Sequence, residues 1–507
     1  MKSNHRLLVY SFFAIICAIP IFWNLGEMEL QMWDESRNAV NAQEMLENGN
    51  ILVRHFNGSP DIWETKPPLL VWSQAISIWL FGNNAFAVRL PSALAAIGTV
   101  LLIFWFFESE WKDMFGAVSA GLVLVTSEGY MTTHVARTGD HDAMLTFFLF
   151  ATIFFVYRSV VHNNYRNLNP GIAILAVLLA FFTKSIVGLL FLPGIFLFIL
   201  WGKKLKQVLT NKWFYLGICG FFGIICLYYF LAEQMNPGFV KLVWDNEYLP
   251  RYLNTSENYA YNKPDHPFYY LNIIAGESFS FWVYWIPVSF LLVFWKYGKA
   301  YRPFIFLALF VGVSFFIIIS VGSVNRWYAA PLFPIMSMLV GMALSIIYHG
   351  ILKALKGKPN LLRYPALLGL PLILFFLPVK SIFTYMDNLG GKDVSLRYGK
   401  CIEQLRQSNP EITSMDILHE HYNATAMFYQ KGFEKDDNFN VNLLCQNYQH
   451  RVKLWEDCTL ENVQDKSTVI ACQTKMQNLL TETFEVTTIS EYEMCKVFQI
   501  EKKKPDQ

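Results

Sequence analysis

Two short clusters of charged residues follow the first apolar segment of the chain. Asp34 and Glu35 form the first cluster, and Glu64 and Lys66 form the second, with Thr65 between them. A carboxylate can take a proton from a hydroxyl group, and a lysine can stabilise negative charge, so the clusters suggest catalysis on an anionic substrate. Because the flanking sequence is aliphatic and aromatic, these charges must lie at a bilayer surface or in a polar cavity between helices, where ionisable residues indicate functional sites.

Both clusters also have a purely structural interpretation. Asp34 and Glu35 begin a predicted interfacial helix in which Arg37 follows at helical spacing, and an acid at a helix N-terminus can simply stabilise the helix dipole. Glu64 and Lys66 could form an ordinary surface ion pair, which contributes little to stability. We favour the catalytic interpretation because a charge directly beyond a membrane span is costly to desolvate.

Further polar residues interrupt the apolar sequence. Arg137, Asp140 and Asp142 join two apolar runs together with His141, and Lys184 breaks another run. The acids could hold hydroxyl groups, and a divalent cation stays open, but two carboxylates and one histidine are too small a set to predict a metal site. Lys184 either lies in a tight outer turn, snorkels to the membrane surface or reaches a substrate phosphate.

Two later segments complete the set of candidate residues. The loop 233–270 contains Arg251 and His266 among many aromatic residues, which suit either sugar rings or a membrane-interface belt. Asn325, Arg326 and Tyr328 begin a later span, and arginine offers a planar donor fork that matches phosphate. An anionic substrate with a phosphate group is therefore consistent with both segments.

The elements that must position these residues are membrane helices. The 507 residues are 54% hydrophobic and only 16% charged, with a mean hydropathy of +0.30, which predicts a polytopic α-helical membrane protein. Eleven apolar runs are each close to the ~20 residues that a helix needs to cross a bilayer, namely 7–25, 85–107, 115–132, 143–160, 168–183, 185–201, 213–232, 276–295, 303–321, 327–347 and 364–379. We expect about eleven transmembrane helices, the first of them retained rather than cleaved as a signal peptide.

Lysine and arginine are concentrated in alternate loops, which indicates the side of the membrane. The basic loops include Lys203–Lys206 and Lys353–Lys358, and they are expected to face the cytoplasm. All the candidate clusters then fall on the opposite side. The net charge of +2 is too small to indicate a nucleic-acid partner.

The composition changes near residue 380, which predicts a domain boundary. Residues 1–380 form the expected transmembrane catalytic domain, with outer-face loops 26–84 and 233–270. Residues 381–507 form a small extracytoplasmic α/β domain, in which helix-like stretches alternate with strand-like ones at 416–418, 468–472, 484–489 and 495–500. Five cysteines lie in this tail, so one or two disulfides are expected and at least one thiol is left over.

Taken together, the motifs resemble the lipid-linked-sugar glycosyltransferases, which include the protein O-mannosyltransferases and the lipid A aminoarabinose transferases. The resemblance runs from about 10 to 350. It is carried by Trp33–Arg37, Ala42–Leu46, Trp63–Leu69, Phe86–Pro91, Arg137 with Asp142, Thr183–Lys184, His266–Pro267 before Tyr269–Tyr270, and Asn325–Tyr328 leading into Pro331–Pro334. The chain departs from the family pattern at Ser185, where a glycine is usual, and at Asn325-Arg326, where a lysine-type position is usual.

The resemblance implies a GT-C type fold and transfer from a polyprenyl-phosphate sugar at the outer face, with inversion and without a nucleotide. Asp34, Glu35 and Lys66 would then be catalytic, with Asp34 taking the proton of the acceptor hydroxyl. Lys66 would stabilise the departing phosphate together with three further cations, which are Lys184, Arg251 and Arg326. The remaining substrate-binding residues would be Arg37, Glu64, Arg137, Asp140, Asp142, His266, Asn325 and Tyr328.

Several alternatives stay open at this point. The acceptor could be lipid A or another glycolipid, a glycan or a protein, and membrane lipids are further partners. No metal ligands are assigned and no cofactor is certain. A translocase of lipids or lipid-linked sugars would also need charges near a membrane face, although it would expose polar residues on both sides. The expected location is the bacterial inner membrane, with the site and the tail on the periplasmic side.

Overall fold

The chain is described by a computed structural model that covers residues 3–132, 134–162, 168–248, 268–294, 298–321, 325–357, 360–389, 397–419, 423–437, 439–444 and 460–505. Within these ranges, six helices are long and apolar enough to cross a membrane, and five shorter apolar helices accompany them. The fold is that of a polytopic helical membrane protein with a C-terminal sheet domain. The predicted number of eleven spans stays a prediction.

Most of the chain before residue 390 is helical. The helices in chain order are Ser3–Phe22, Asp34–Asn48, Leu69–Phe81, Ala85–Trp111, Met114–Val125, Glu128–Met131, Asp142–Val161, Asn169–Lys184, Leu192–Trp201, Leu205–Leu209, Lys212–Met235, Phe239–Val243, Tyr269–Ile273, Trp285–Phe294, Arg302–Val321, Phe333–Ala354 and Asn360–Leu389. The chain divides into two compact units. Residues 1–23, 64–70 and 91–385 form the first unit, and residues 24–63, 71–90 and 386–507 form the second.

The first unit is a bundle of apolar helices in close contact. The helix Phe333–Ala354 packs against Met114–Val125 at Gly341, where an added Cβ atom would lie 2.7 Å from the Gly116 carbonyl oxygen. Small residues allow this approach between membrane helices. One polar contact inside the bundle joins two side chains far apart in sequence, since the Trp282 indole donates to the Thr126 hydroxyl at 3.1 Å.

A break in the helix that follows residue 169 shapes the candidate site. The helix Asn169–Lys184 ends at Ser185, which has φ 52° and ψ −137°, and a single 3-10 turn Ser185–Leu189 follows. A non-glycine residue in this region of backbone space is strained. The resemblance had marked this position because the family usually has a glycine there, and the backbone conformation explains that preference.

The second unit joins the segment after the first helix to the tail. The helix Asp34–Asn48 is buried on all sides from Asn38 to Met45 and packs against the tail helix Ala424–Asp437. The Gln43 amide donates to the Phe428 carbonyl at 2.9 Å within this contact. A short hairpin of strands β1 (His55–Phe56) and β2 (Ser59–Pro60) lies in the same unit.

The tail contains a five-stranded mixed sheet. Its strands are β3 (Ser414–Ile417), β4 (Asn440–Leu443), β5 (Thr468–Ala471), β6 (Phe484–Tyr492) and β7 (Cys495–Lys503), in the order β4-β3-β5-β7-β6. β3 pairs in parallel with β4 and β5, and β7 pairs antiparallel with β5 and β6. The helices Tyr398–Ser408, Ala424–Asp437 and Thr474–Thr483 complete the tail, so the predicted sheet domain is confirmed.

A disulfide joins two strands of this sheet. Cys472 follows β5 directly and is bonded to Cys495, the first residue of β7. One of the disulfides expected in the tail is therefore present, whereas Cys401 is a buried free thiol. Cys445 and Cys458 lie outside the described residues.

Candidate active site

A lysine–glutamate pair lies where the chain enters the first unit. The Lys66 Nζ atom lies 2.7 Å from both carboxylate oxygens of Glu64, and both side chains are nearly buried. Pro67 and Pro68 follow and restrict the backbone that leads into the helix Leu69–Phe81. The pair places a cation at a fixed point beside the apolar bundle.

The loop before the helix Asp142–Val161 builds a carboxylate held by two imidazoles. Both His134 Nδ1 and His141 Nδ1 pair with the Asp140 carboxylate, the latter at 2.9 Å. The ring of Trp327 stacks on His134 with 3.7 Å between ring centroids. Burial alone would raise the pKa of Asp140, but the hydrogen bonds from both histidines outweigh it and hold that pKa well below its usual range.

His141 itself is almost completely buried. Burial lowers the pKa of its imidazole, and the positive charge of Lys66 acts in the same direction, while Asp140 opposes both. Its backbone N–H also donates to the Asp140 carboxylate at 2.6 Å. The imidazole is therefore neutral in the free protein and is fixed by one carboxylate.

A second buried lysine–carboxylate pair lies on two neighbouring helices. Lys184, at the end of its helix, donates to both oxygens of Asp142 at 2.6 and 2.8 Å. The ring centroid of Tyr328 lies 5.2 Å from the Lys184 ammonium. The structure thus brings together three of the residues predicted from the sequence, although 42 positions separate the lysine from its carboxylate.

Two further polar contacts of the first unit involve residues of the loop 233–270. The Ser185 and Tyr248 hydroxyls lie 3.1 Å apart, and the buried Glu247 accepts a hydrogen bond from Thr65 at 3.5 Å. His134 and Trp327 were also missed, because a ring stack between residues almost 200 positions apart has no periodic signal. Glu247 and Tyr248 were noted only as members of an aromatic loop, and a buried acid in such a loop was the available signal.

Three predicted substrate-binding residues have structural contacts. Arg137 donates to the Pro20 carbonyl at 2.7 Å, at the C-terminal end of the first helix. Arg326 forms an exposed ion pair with Glu277 at 2.8 Å, and the Asn325 carbonyl accepts from Tyr270 at 3.3 Å. These contacts neither require nor exclude the predicted roles, which stay predictions. Arg251 and His266 lie outside the described residues.

In the second unit, Glu35 belongs to a buried network. Arg89 donates to both Glu35 oxygens at 2.7 and 3.0 Å and also to the carbonyl groups of Leu25, Met28 and Glu29. The Glu35 carboxylate also accepts from the backbone N–H of Gln31. One ion pair therefore organises the whole turn between the first helix and Asp34.

Arg37 is held in a similar way. Its guanidinium donates to both oxygens of Asp61 at 2.6 and 2.9 Å and lies 4.1 Å from the ring centroid of Phe56. Asn41 also donates to Asp61. Asp34 begins the helix, is half-buried, and follows Trp33, whose φ of 73° is strained for a non-glycine residue. Strain of this kind is concentrated at functional sites.

The fold is that of the polytopic membrane proteins of GT-C type, as matches to solved structures show. A crystal structure of ArnT from Cupriavidus metallidurans bound to undecaprenyl phosphate matches with a TM-score of 0.68, covering 98% of each chain at 16% identity. A crystal structure of the Archaeoglobus fulgidus oligosaccharyltransferase in the apo form matches with a TM-score of 0.53, covering 87% of this chain and 64% of that one at 14% identity.

Sequence comparisons agree with the structural ones. The family model of dolichyl-phosphate-mannose-protein mannosyltransferases matches residues 65–230. An undecaprenyl phosphate-alpha-4-amino-4-deoxy-L-arabinose arabinosyl transferase from Shewanella sediminis is 32% identical over 219 residues, which are 42% of this chain and 38% of that protein. An uncharacterized protein from Aquifex aeolicus is 25% identical over 332 residues, and the chain spans 62% of its length.

The chain is thus similar in sequence to lipid-linked-sugar glycosyltransferases over part of its length and shares the GT-C fold. Both findings agree with the resemblance inferred from the motifs.

Proposed function

We propose that this protein transfers a sugar from a polyprenyl-phosphate donor to an acceptor at the extracytoplasmic face of the bacterial inner membrane. The observation that carries the proposal is a pair of lysines in one unit, the partly buried Lys66 and the buried Lys184, each held by a carboxylate. A buried cation with a movable side chain can turn from its carboxylate to a substrate phosphate. The ArnT structure with undecaprenyl phosphate and the arabinosyl transferase relatives support a donor of this kind.

The proposed reaction is a single displacement at the anomeric carbon. The acceptor oxygen attacks this carbon, the bond to the phosphate oxygen breaks, and polyprenyl phosphate leaves with inversion. Asp34 takes the proton of the acceptor hydroxyl, which contributes ~10²–10⁴-fold to the rate. Lys66 and Lys184 stabilise the charge on the departing phosphate, while Glu64 and Asp142 position them.

We assign Glu35 a different role from the catalytic one predicted from the sequence. Its carboxylate is 1% exposed and is occupied by Arg89 and by the backbone of Gln31. Both oxygens of this carboxylate are engaged by the Arg89 guanidinium, and one also accepts from the Gln31 backbone N–H, so the group is committed to structural hydrogen bonds. In our proposal Glu35 positions Asp34, its neighbour at the start of the helix Asp34–Asn48.

The disulfide supports the proposed orientation. Disulfides form in oxidising compartments such as the bacterial periplasm and are rare in the cytosol. The Cys472–Cys495 bond therefore favours a periplasmic tail, in agreement with the distribution of lysine and arginine. The comparisons are with transferases, which favours transfer over translocation.

The test is transfer from radiolabelled polyprenyl-phosphate sugars by the purified full-length protein in detergent. We expect Lys66→Ala to lower the turnover by ~10²–10³-fold, the usual effect of removing one group that stabilises transition-state charge. Lys241→Ala is the matched control, because Lys241 is 85% exposed in the same unit. Full activity of a folded Lys66→Ala protein would contradict the proposed phosphate site, and failure of every donor with the wild type would contradict transfer itself.

A further inference from the structure

The loop 134–141 contains a group that the proposed mechanism does not use. The Asp140 carboxylate accepts hydrogen bonds from the Nδ1 atoms of both His134 and His141. Because an ionised carboxylate only accepts, each imidazole carries a proton on Nδ1. The free lone pair of neutral His141 is therefore on Nε2.

This Nε2 atom is buried without a hydrogen-bond partner among the described residues. The side chain of His141 is 1% exposed, so water in the bulk does not compensate for the missing bond. Leaving a buried polar atom unpaired costs about 1–3 kcal/mol, and such atoms are rare unless they have a function. The atom is thus a candidate for a ligand contact.

His141 directly precedes Asp142, which holds the Lys184 ammonium at 2.6 and 2.8 Å, so the imidazole belongs to the segment that builds the lysine site. The charges of Lys66 and Glu64, the first lysine–carboxylate pair, also act on its ring. A phosphate bound by Lys66 would therefore also act on the His141 imidazole.

We infer that His141 is a further catalytic residue of the donor site, whose Nε2 atom gains a proton when the donor phosphate binds and passes it to the departing phosphate oxygen. The inference rests on the proposed function and names a residue for its leaving-group step. Asp140 is its positioning residue, since it fixes the ring and stabilises the imidazolium.

The chemistry balances with one proton on each side. In the donor the phosphate is a diester with one negative charge. As the bond from the anomeric carbon breaks, both electrons go to the phosphate oxygen, and the proton on His141 Nε2 goes to the same oxygen, leaving His141 neutral. The proton of the acceptor hydroxyl goes to Asp34 and then to solvent. A phosphate monoester loses its second proton near pH ~6 and an imidazole near ~6.5, so the two groups are matched for transfer.

Binding of the donor changes the charge around the His141 imidazole and so favours its protonation. In the free protein, burial and Lys66 lower the pKa of His141, which keeps it neutral. The negative charge of a bound phosphodiester offsets that of Lys66 and favours the imidazolium. Donor binding near neutral pH is therefore coupled to the uptake of about one proton.

Calorimetry of donor-analogue binding tests this coupling. The probe is the methyl diester of undecaprenyl phosphate, whose single charge does not titrate, and it is added to the full-length protein in two buffers of equal pH and different ionisation enthalpy. We expect the wild type to take up about one proton per bound lipid, and His141→Asn to bind the lipid without this uptake. His134→Asn is the matched control, since it removes the other imidazole on Asp140, and it should keep the uptake.

Each outcome decides a separate point. Uptake by His141→Asn equal to that of the wild type, or binding by the wild type without uptake, would overturn the role of His141 and leave the proposed function standing. Failure of the wild type to bind, or equal binding by Lys66→Ala, would overturn the donor site and this inference with it. If His141→Asn does not fold, Asp140→Asn replaces it, because an asparagine cannot stabilise the imidazolium and the uptake should fall.

Discussion

The buried ion pairs of the two units differ in the cation that they use. In the first unit, Lys66 and Lys184 each contact a carboxylate through an ammonium group. In the second unit, Arg89 and Arg37 bind carboxylates through two nitrogen atoms, and Arg89 also binds three backbone carbonyls. A lysine can exchange its partner on a flexible stem, whereas an arginine fork fixes geometry. In our proposal, these two lysines of the first unit can therefore meet a substrate, whereas these two arginines of the second unit shape the chain.

The largest expected effect is the loss of stability when Arg89 of the second unit is replaced by lysine. Arg89→Lys cannot reach both Glu35 oxygens and three carbonyls, so we expect the unit to lose about 3–5 kcal/mol of stability, as when a buried pair is broken. Thermal unfolding in detergent measures the loss. Arg302→Lys is a control on a partly exposed arginine, and a melting temperature equal to that of the wild type in Arg89→Lys would refute the fixed-geometry interpretation.

The reverse exchange tests the first unit. Lys66→Arg keeps the charge, but its planar fork stays on Glu64, so we expect normal folding with turnover lowered by ~10²-fold, equivalent to about 2.7 kcal/mol. Transfer assays with a radiolabelled donor measure it. Activity within about twofold of the wild type would show that an exchangeable cation is not required.

The next expected effect is a pH dependence of stability. It comes from a carboxylate of the second unit that is held by the backbone rather than by a paired cation. Glu29 accepts from the backbone N–H of Lys400 at 2.6 Å, and burial raises the pKa of Glu29 to about 8. The native state then binds the proton more tightly than the unfolded chain, so stability is greatest at low pH and falls as pH rises from the ordinary value of 4.5 toward 8.

Glu29→Gln should remove this pH dependence and leave the variant more stable than the wild type above pH 8, by on the order of 2 kcal/mol. Unfolding as a function of pH measures it, with Glu27→Gln as a neighbouring exposed control. Parallel pH curves for the wild type and Glu29→Gln would contradict the raised pKa.

The smallest expected effect concerns the strained turn beside Lys184. Ser185→Gly relieves the positive φ of this position, so we expect a gain of about 1 kcal/mol in stability, while the contact with the Tyr248 hydroxyl is lost. Unfolding and donor affinity should be measured together. A loss of stability would show that the hydroxyl contact outweighs the strain.

Much of the local structure could be predicted from sequence patterns, whereas the pairing of charged residues could not. The strands Thr468–Ala471 and Cys495–Lys503 were predicted within three residues, because apolar runs bounded by turn residues have a local signature. The strand Asn440–Leu443 was missed because it has only four residues, two of them asparagines.

The sequence could not predict which charged residues pair with one another, for a physical reason. Glu35 was predicted as catalytic, but its partner Arg89 lies 54 positions away on another helix. Lys184 and Asp142 were both found, yet their contact depends on how two membrane helices pack. Tertiary packing decides such pairs, and neither spacing nor residue type reports it.

The contact of Arg137 with the carbonyl groups of Pro20 and Ile21 also constrains how the protein is made. These carbonyls end the first helix, and the residue that satisfies them is synthesised 117 positions after Pro20. A free carbonyl at a membrane helix end needs water or another donor until then. The end of the first helix therefore acquires its arginine donor only after the segment that contains Arg137 has been synthesised.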